Sequence, residues 1–172
     1  NKVYDGNNTA TTTITLTLTD LIGSETLTNT NLSTFDNKNV GSNKTVTVNS
    51  ITLSDGTNGG LASNYTLTGH AASSFQVTQR VLSSSGSRIY DGSTTASSSD
   101  FTLSYLVWSE TLTLSGNGTL GNANVGTNKS VTLNTLSIAD GSNGGLAANY
   151  NLSAEDFHIE KRPLAVEVQR QY

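Results

Sequence analysis

The chain has 172 residues, with 13 Asp and Glu against 9 Lys and Arg for a net charge of −4, and it has no cysteine or methionine. Lacking a basic cluster, it lacks the phosphate-neutralising surface that nucleic acid requires; lacking cysteine, it excludes disulfides, thiolate metal sites and cysteine nucleophiles. Charged residues are 13% of the chain, about half the usual share, so Thr, Ser and Asn carry solubility, a mixture that disfavours helix and suits strands and turns.

In chain order, Ile14, Leu16 and Leu18 alternate with Thr15, Thr17 and Thr19, the period-two pattern of a strand with one apolar face. A single helical turn is expected over 20–24, before a strand from Glu25. Further strands are expected over 45–48, 51–53, 65–67 and 75–77. Between them Val40-Gly41, Asp55-Gly56 and Asn58-Gly59-Gly60 supply turns with positive φ. The second half predicts strands over 101–103, 111–114, 131–133, 136–138, 150–152 and 157–159, with the other candidate helical turn at 105–109. Many short strands with regular turn signals indicate an all-β protein of small antiparallel domains. An immunoglobulin-like sandwich is the first expectation and a β-grasp-like unit the second. No apolar run approaches a membrane span and no secretory signal is present. The chain starts inside a repeat and reads as a piece of something longer. A cysteine-free composition fits bacterial surface proteins that cross an envelope unfolded.

The two halves repeat each other. Lys2-Val3-Tyr4-Asp5-Gly6 returns as Arg88-Ile89-Tyr90-Asp91-Gly92, and Ser24-Glu25-Thr26-Leu27 as Ser109-Glu110-Thr111-Leu112. Asn39-Val40-Gly41 with Asn43-Lys44 returns as Asn124-Val125-Gly126 with Asn128-Lys129. Asp55-Gly56-Thr57-Asn58-Gly59-Gly60 returns as Asp140-Gly141-Ser142-Asn143-Gly144-Gly145. A period of roughly 85 residues suits a small domain better than a solenoid coil. The expected domains are 1–82 and 83–172, joined over 81–87. Residues 163–172 are either the last strand of the second copy or the first strand of a following one, with Pro163 at the junction. So short a join predicts two domains end to end as an elongated rod.

The Lys-Val-Tyr-Asp-Gly at Lys2 to Gly6, the Asn-Val-Gly-x-Asn-Lys at Asn39 to Lys44, the Asn-Tyr-Thr-Leu at Asn64 to Leu67 and the Lys-Arg-Pro-Leu at Lys161 to Leu164 resemble the YDG repeat, which is related to MBG repeats. Such repeats occur in large bacterial surface adhesins and filamentous-haemagglutinin-type exoproteins. The likeness spans nearly the whole chain; Arg88-Ile89 for Lys-Val and Asn151 for Thr66 are its small departures. It implies an extracellular, secreted or cell-surface module, a spacer in adhesion or biofilm formation, and it supplies no catalytic residue.

Candidate chemistry is sparse. Tyr4 and Tyr90 are expected to pack at the domain end beside an Asp-Gly turn, with glycan stacking as the alternative. Asp55 and Asp140 open loops that gather oxygen atoms, yet the spacing lacks the acidic positions of calcium loops, so a self-bonded connection is favoured. Asp20 with Glu25, and Asp100 with Glu110, make no better metal site. The Thr13 to Thr19 ladder reads as a solvated strand face, because the second copy does not repeat it. His70 and His158 do not align, and no Ser-His-Asp relay is expected. Lys44 and Lys129 raise an isopeptide link to Asn, which a lysine in a Gly-Asn turn disfavours. The sequons at Asn7, Asn31, Asn43, Asn64, Asn117, Asn128 and Asn151 are as numerous as chance in such a composition. Trp108 is either a core filler or an exposed contact point.

No catalytic, cofactor-binding or metal residue is therefore assigned, and no cofactor. The expected role is a non-enzymatic stalk module projecting an adhesive tip. Its expected partners are neighbouring repeats of the same chain and a host or biofilm glycan, without nucleic acid or membrane insertion, and the fragment is expected to be a monomer. Weak, multivalent glycan binding by the repeats is the alternative, and edge-strand pairing between molecules a third possibility.

Overall fold

The structure is a computed structural model that describes residues 1–10, 17–68, 74–168 and 170. It divides into two compact units, Asn1–Arg80 and Val81–Tyr172, so the boundary falls two residues earlier than the repeats alone indicate. Both are all-β, built from small, mainly antiparallel sheets. No helix among the described residues is long and apolar enough to cross a membrane.

Unit 1 contains β1 (Lys2–Val3), β2 (Leu27–Phe35), β3 (Gly41–Lys44), β4 (Val46–Asp55) and β5 (Phe75–Thr78). β2 and β4 form a long antiparallel pair from Leu27↔Asp55 to Phe35↔Val46, with a register shift between Leu32 and Ser33. The other sheet has the order β1-β5-β3, and here one pair departs from the antiparallel expectation. β1 runs parallel to β5, Lys2 facing Val77. Asn39 to Lys44, expected as a turn, holds strand β3 as well; Asn43 takes φ 54° inside it, where the pairing with β5 shifts register.

β6 (Arg80–Ile89) starts on the last residue of unit 1 and otherwise lies in unit 2, which also contains β7 (Thr95–Ser97), β8 (Phe101–Ser104), β9 (Leu112–Ser115), β10 (Asn117–Leu120), β11 (Val131–Thr132), β12 (Ser137–Asp140) and β13 (Tyr150–Glu160). The counterpart of the long β2–β4 pair is broken at Gly116 into β9–β12 and a β11-β10-β7 sheet. The third sheet has the order β13-β6-β8. The segment expected to join the copies is thus its central strand.

Other expectations change too. No helical turn forms at 20–24 or 105–109; Glu25 N–H donates to Ile22 O at 3.1 Å, and Glu110 N–H to Val107 O at 3.0 Å, closing β-turns instead. Short 3-10 turns stand at Ala62–Asn64, Ser98–Asp100 and Ala147–Asn149. Residues 163–168 form no strand. Of the predicted strand at 14–19, the part before Thr17 lies outside the described residues, and 17–19 joins no ladder.

Each unit has its own apolar centre, as period-two strands dictate. In unit 1 Tyr4, Ala10, Phe35 and Val77 are buried, and Phe75 packs edge-on against Phe35 with ring centres 6.4 Å apart. In unit 2 Ala96, Leu120, Phe157 and Ile159 cluster with Phe101 and Val131. Burying each large apolar side chain contributes about 1.5–3 kcal/mol, which matters in units this small.

Candidate functional site

The Tyr-Asp-Gly motif is organised by the cation ahead of it. Lys2 Nζ donates to Asn7 O (2.9 Å), Asn7 Oδ1 (2.8 Å) and Thr9 O (2.9 Å), and pairs with Asp5 at 2.8 Å. Asp5 Oδ1 in turn accepts from Asn7 N–H at 3.1 Å, across Gly6 at φ 81°. In the second copy Arg88 takes over, donating to the carbonyls of Ser93 and Thr95 and facing Asp91 at 3.4 Å, with Gly92 at φ 80°. The two cations thus hold the same turn. Tyr4 is fully buried, with Lys38 Nζ 5.8 Å from its ring centre, whereas Tyr90 is 38% exposed. The same tyrosine therefore packs in one copy and is partly open in the other.

The Asp-Gly-x-Asn-Gly-Gly loops match bond for bond. Asp55 Oδ1 accepts from Ala62 N–H at 2.7 Å, and Asp140 Oδ1 from Ala147 N–H at 2.7 Å. Asn58 and Asn143 each donate to the carbonyl of the serine before the glutamate, Ser24 or Ser109, at 2.9 Å. Thr26 Oγ1 meets Thr57 Oγ1 at 2.7 Å, as Thr111 Oγ1 meets Ser142 Oγ at 2.7 Å. A Cβ on Gly60 would lie 2.0 Å from Thr26 O, and one on Gly145 2.0 Å from Thr111 O, so only glycine lets the loop lie against the strand. These oxygens serve the loop's own backbone, the self-bonded connection that the spacing favours.

A tyrosine-glutamate latch closes the same region, and sequence reasoning missed it. Tyr65 OH donates to Glu25 Oε2 at 2.5 Å and accepts from Ile22 N–H at 3.1 Å. Tyr150 OH donates to Glu110 Oε2 at 2.6 Å and accepts from Val107 N–H at 3.1 Å. The carboxylate beside it raises the Tyr65 phenol above its ordinary pKa. Glu25 and Glu110 are thereby engaged away from Asp20, which accepts from Thr19 Oγ1, and Asp100, which caps a turn by accepting from Ser97 N–H. Among the described residues no group of three or more His, Asp or Glu is placed to share a metal ion. The signal that could have exposed the latch is the fixed spacing of Glu and Tyr, repeated in both copies.

Lys44 is not in an open turn: it ends β3 with its side chain 7% exposed, donating to Asn37 Oδ1 at 2.7 Å and pairing with Asp36 at 2.9 Å. The hydrogen bond from Lys44 lowers the Asp36 pKa. Lys129 repeats the bond to Asn122 at 2.7 Å, with Gly121 in place of Asp36.

His70 lies outside the described residues. His158 lines a cleft of about 250 Å³ with Ser85, Ser87, Asp100, Thr102 and Asp156. Its Nε2 lies 3.3 Å from Asp156, and its Nδ1 makes no hydrogen bond. A hydrolytic relay needs imidazole bonded to a serine hydroxyl, and neither Ser85 nor Ser87 is so placed. Trp108 is not a core filler: it is 78% exposed at φ 50°.

Comparison with known families settles what this duplicated scaffold is. The model of the YDG domain matches residues 1–74 and again 76–156. The chain belongs to the YDG domain family. Its paired clamps, loops and latches are thus features of two successive YDG units. Neither a curated protein nor a solved structure matches the chain.

Proposed function

We propose that these YDG units are a structural spacer of a repetitive extracellular bacterial adhesin, carrying an adhesive tip away from the cell in adhesion or biofilm formation. The observation that carries this reading is the duplicated polar scaffold. In both copies the motif Asp, Asn, Thr and Glu side chains bond to turns and latches of their own unit, at distances that agree within about 0.1 Å. Duplication adds length and valence, whereas a reactive centre would have to be built from residues present in one copy alone. The likeness of YDG repeats to segments of large surface adhesins supports the setting, and the sparse charge suits a surface that resists non-specific attraction. Antibodies to the chain should label intact, unpermeabilised cells, and the purified chain should give only background on a glycan array. Labelling only after permeabilisation would overturn the reading.

One observation favours a second reading, weak multivalent glycan binding by the repeats. Tyr105 and Trp108, 65% and 78% exposed, occupy φ 69° and 50° where the first copy has Asp20 and Gly23 at 65° and 56°. A bulky side chain in that region costs about 1–3 kcal/mol, and here the strained turn presents aromatic faces to solvent. Residues 104–109 contain no Lys, Arg, Asp or Glu, so the ligand would be a neutral polysaccharide. Array binding lost in Trp108→Gly, which suits the backbone better, would establish this reading; a blank array for the unaltered chain rejects it.

A further inference from the structure

The turn between β2 and β3 gathers an amine, a carboxamide and a carboxylate that the spacer reading leaves unused. Lys44 Nζ donates to Asn37 Oδ1 at 2.7 Å and lies 2.9 Å from Asp36 Oδ1. The other carboxylate oxygen, Asp36 Oδ2, accepts from Asn37 Nδ2 at 3.2 Å. Asp36 therefore touches both the amine and the carboxamide nitrogen. Asn39 N–H donates to Asn37 Oδ1 at 3.0 Å, so that carbonyl oxygen already takes two donors. Gly41 lies over the lysine stem, where a Cβ would sit 3.4 Å from Lys44 Cδ.

Unit 2 repeats this arrangement except for the acid. Lys129 Nζ donates to Asn122 Oδ1 at 2.7 Å, and Asn124 N–H donates to the same oxygen at 3.1 Å. Gly121 stands in place of Asp36. The turn thus forms without a carboxylate, and Asp36 adds something that holding the turn does not require.

We propose that Lys44 and Asn37 become joined by an isopeptide bond in unit 1, with Asp36 relaying the protons. Asp36 Oδ1 takes a proton from the Lys44 ammonium, and the amine lone pair attacks Asn37 Cγ, held beside it. The carbonyl π pair moves onto Oδ1, where Asn39 N–H meets the developing negative charge. Asp36 delivers its proton to Nδ2 and takes a second one from the attacking nitrogen. The carbonyl re-forms as the Cγ–Nδ2 bond breaks. Lys44 gives up two protons and Asn37 its side-chain nitrogen, so one ammonium ion leaves, and the balance needs no oxidant or reductant. Asn37 is exposed, which opens the way out for it.

The sequence disfavours such a link because Lys44 reads as an open-turn residue, and its burial removes that objection. A side chain only 7% exposed favours the neutral amine that the attack needs. The ion pair opposes the transfer by lowering the Asp36 pKa, so the bond forms slowly after folding. The acid sensitivity of that pair belongs to the unreacted chain; once the amide is made, Lys44 carries no charge. The bond ties the end of β2, in one sheet of unit 1, to the end of β3, in the other, bypassing 38–43. It supplies a covalent closure in a chain without cysteine. The inference stands apart from the adhesin reading and survives or fails without it.

The intact mass of the full chain, followed over days at neutral pH, should fall by one ammonia and not two. Trypsin cuts at Lys38 but not at an acylated Lys44, so residues 3–38 should remain joined to 39–80. Asp36→Asn keeps the shape of an exposed side chain but cannot relay the protons, and should lose no ammonia. Gly121→Asp, whose Cβ meets the Ser130 hydroxyl, should add a second loss that links Asn122 to Lys129. Dispersed amide spectra check that both variants fold. A mass that never falls would overturn the proposal, as would a loss confined to residues 45–80, the mark of ring closure at Asn58-Gly59. Loss that persists in Asp36→Asn, or no second loss in Gly121→Asp, would do the same.

Discussion

Position 2 and its twin 88 show what the motif residues are for. Lysine and arginine differ in shape, yet both reach the carbonyls of the segment after Tyr-Asp-Gly and pair with the motif aspartate. The cation converts loose backbone acceptors into charge-assisted bonds, which are stronger than neutral ones. Asp36 is where the copies part. Its folded pKa is lowered by Lys44, so its contribution to stability is present above the unfolded value, about 3.9, and is lost as pH falls through the lowered folded value. Unit 1 should therefore lose stability on acidification more steeply than unit 2, where Gly121 stands in that place. Asp36→Asn should flatten the acid slope of unit 1 alone. Urea unfolding followed across pH by resolved amide signals checks this, with Trp108, the sole tryptophan, reporting unit 2. Equal slopes in wild type and variant would remove Asp36 from the account.

The loop after β4, and its twin after β12, are turns that only their own residue types can make. Gly60→Ala forces a methyl group against Thr26 O, and Gly145→Ala does the same at Thr111. Each should destabilise its unit by about 3 kcal/mol or more, while Thr57→Ser, the residue unit 2 already uses, should be nearly neutral. Chemical denaturation with unit-resolved probes measures both. Such turns were legible in the sequence because Asn-Gly-Gly declares positive φ locally, at Asn58 and Gly59 and again at Asn143 and Gly144, whereas Gly56 and Gly141, expected to share it, do not take it. Strands with alternating Leu, Ile or Val were legible for the same reason. What could not be read is pairing, which depends on residues far apart. Val81 to Ser87 reads as a short join, yet it lies in a central strand whose buried residues are Leu82 and Ser84. The parallel β1–β5 contact spans nearly the whole of unit 1, and nothing in Lys2-Val3 announces it. Trp108 was ambiguous because its left-handed backbone is inherited from a glycine position of the repeat, not from its own preference. The latch from Tyr65 to Glu25 was visible only as a spacing shared by both copies.

Taken whole, the chain presents one small β-sheet unit twice, each with its own core and its own polar locks. The motif groups that would attract a metal or a substrate are turned to the unit's own backbone, and the few aromatic differences lie on the second copy. On the proposed spacer reading, such a unit contributes extent. If extent is the function, the identity of the two units is dispensable so long as their length is kept. The most direct test is to replace these YDG units, in the surface adhesin proposed to carry them, by two unrelated β domains of equal span and to measure attachment of the cells. The spacer account predicts attachment near the unaltered level, with loss when the units are deleted without replacement. Attachment abolished by the equal-length swap would contradict it and assign the adhesive contact to these units themselves.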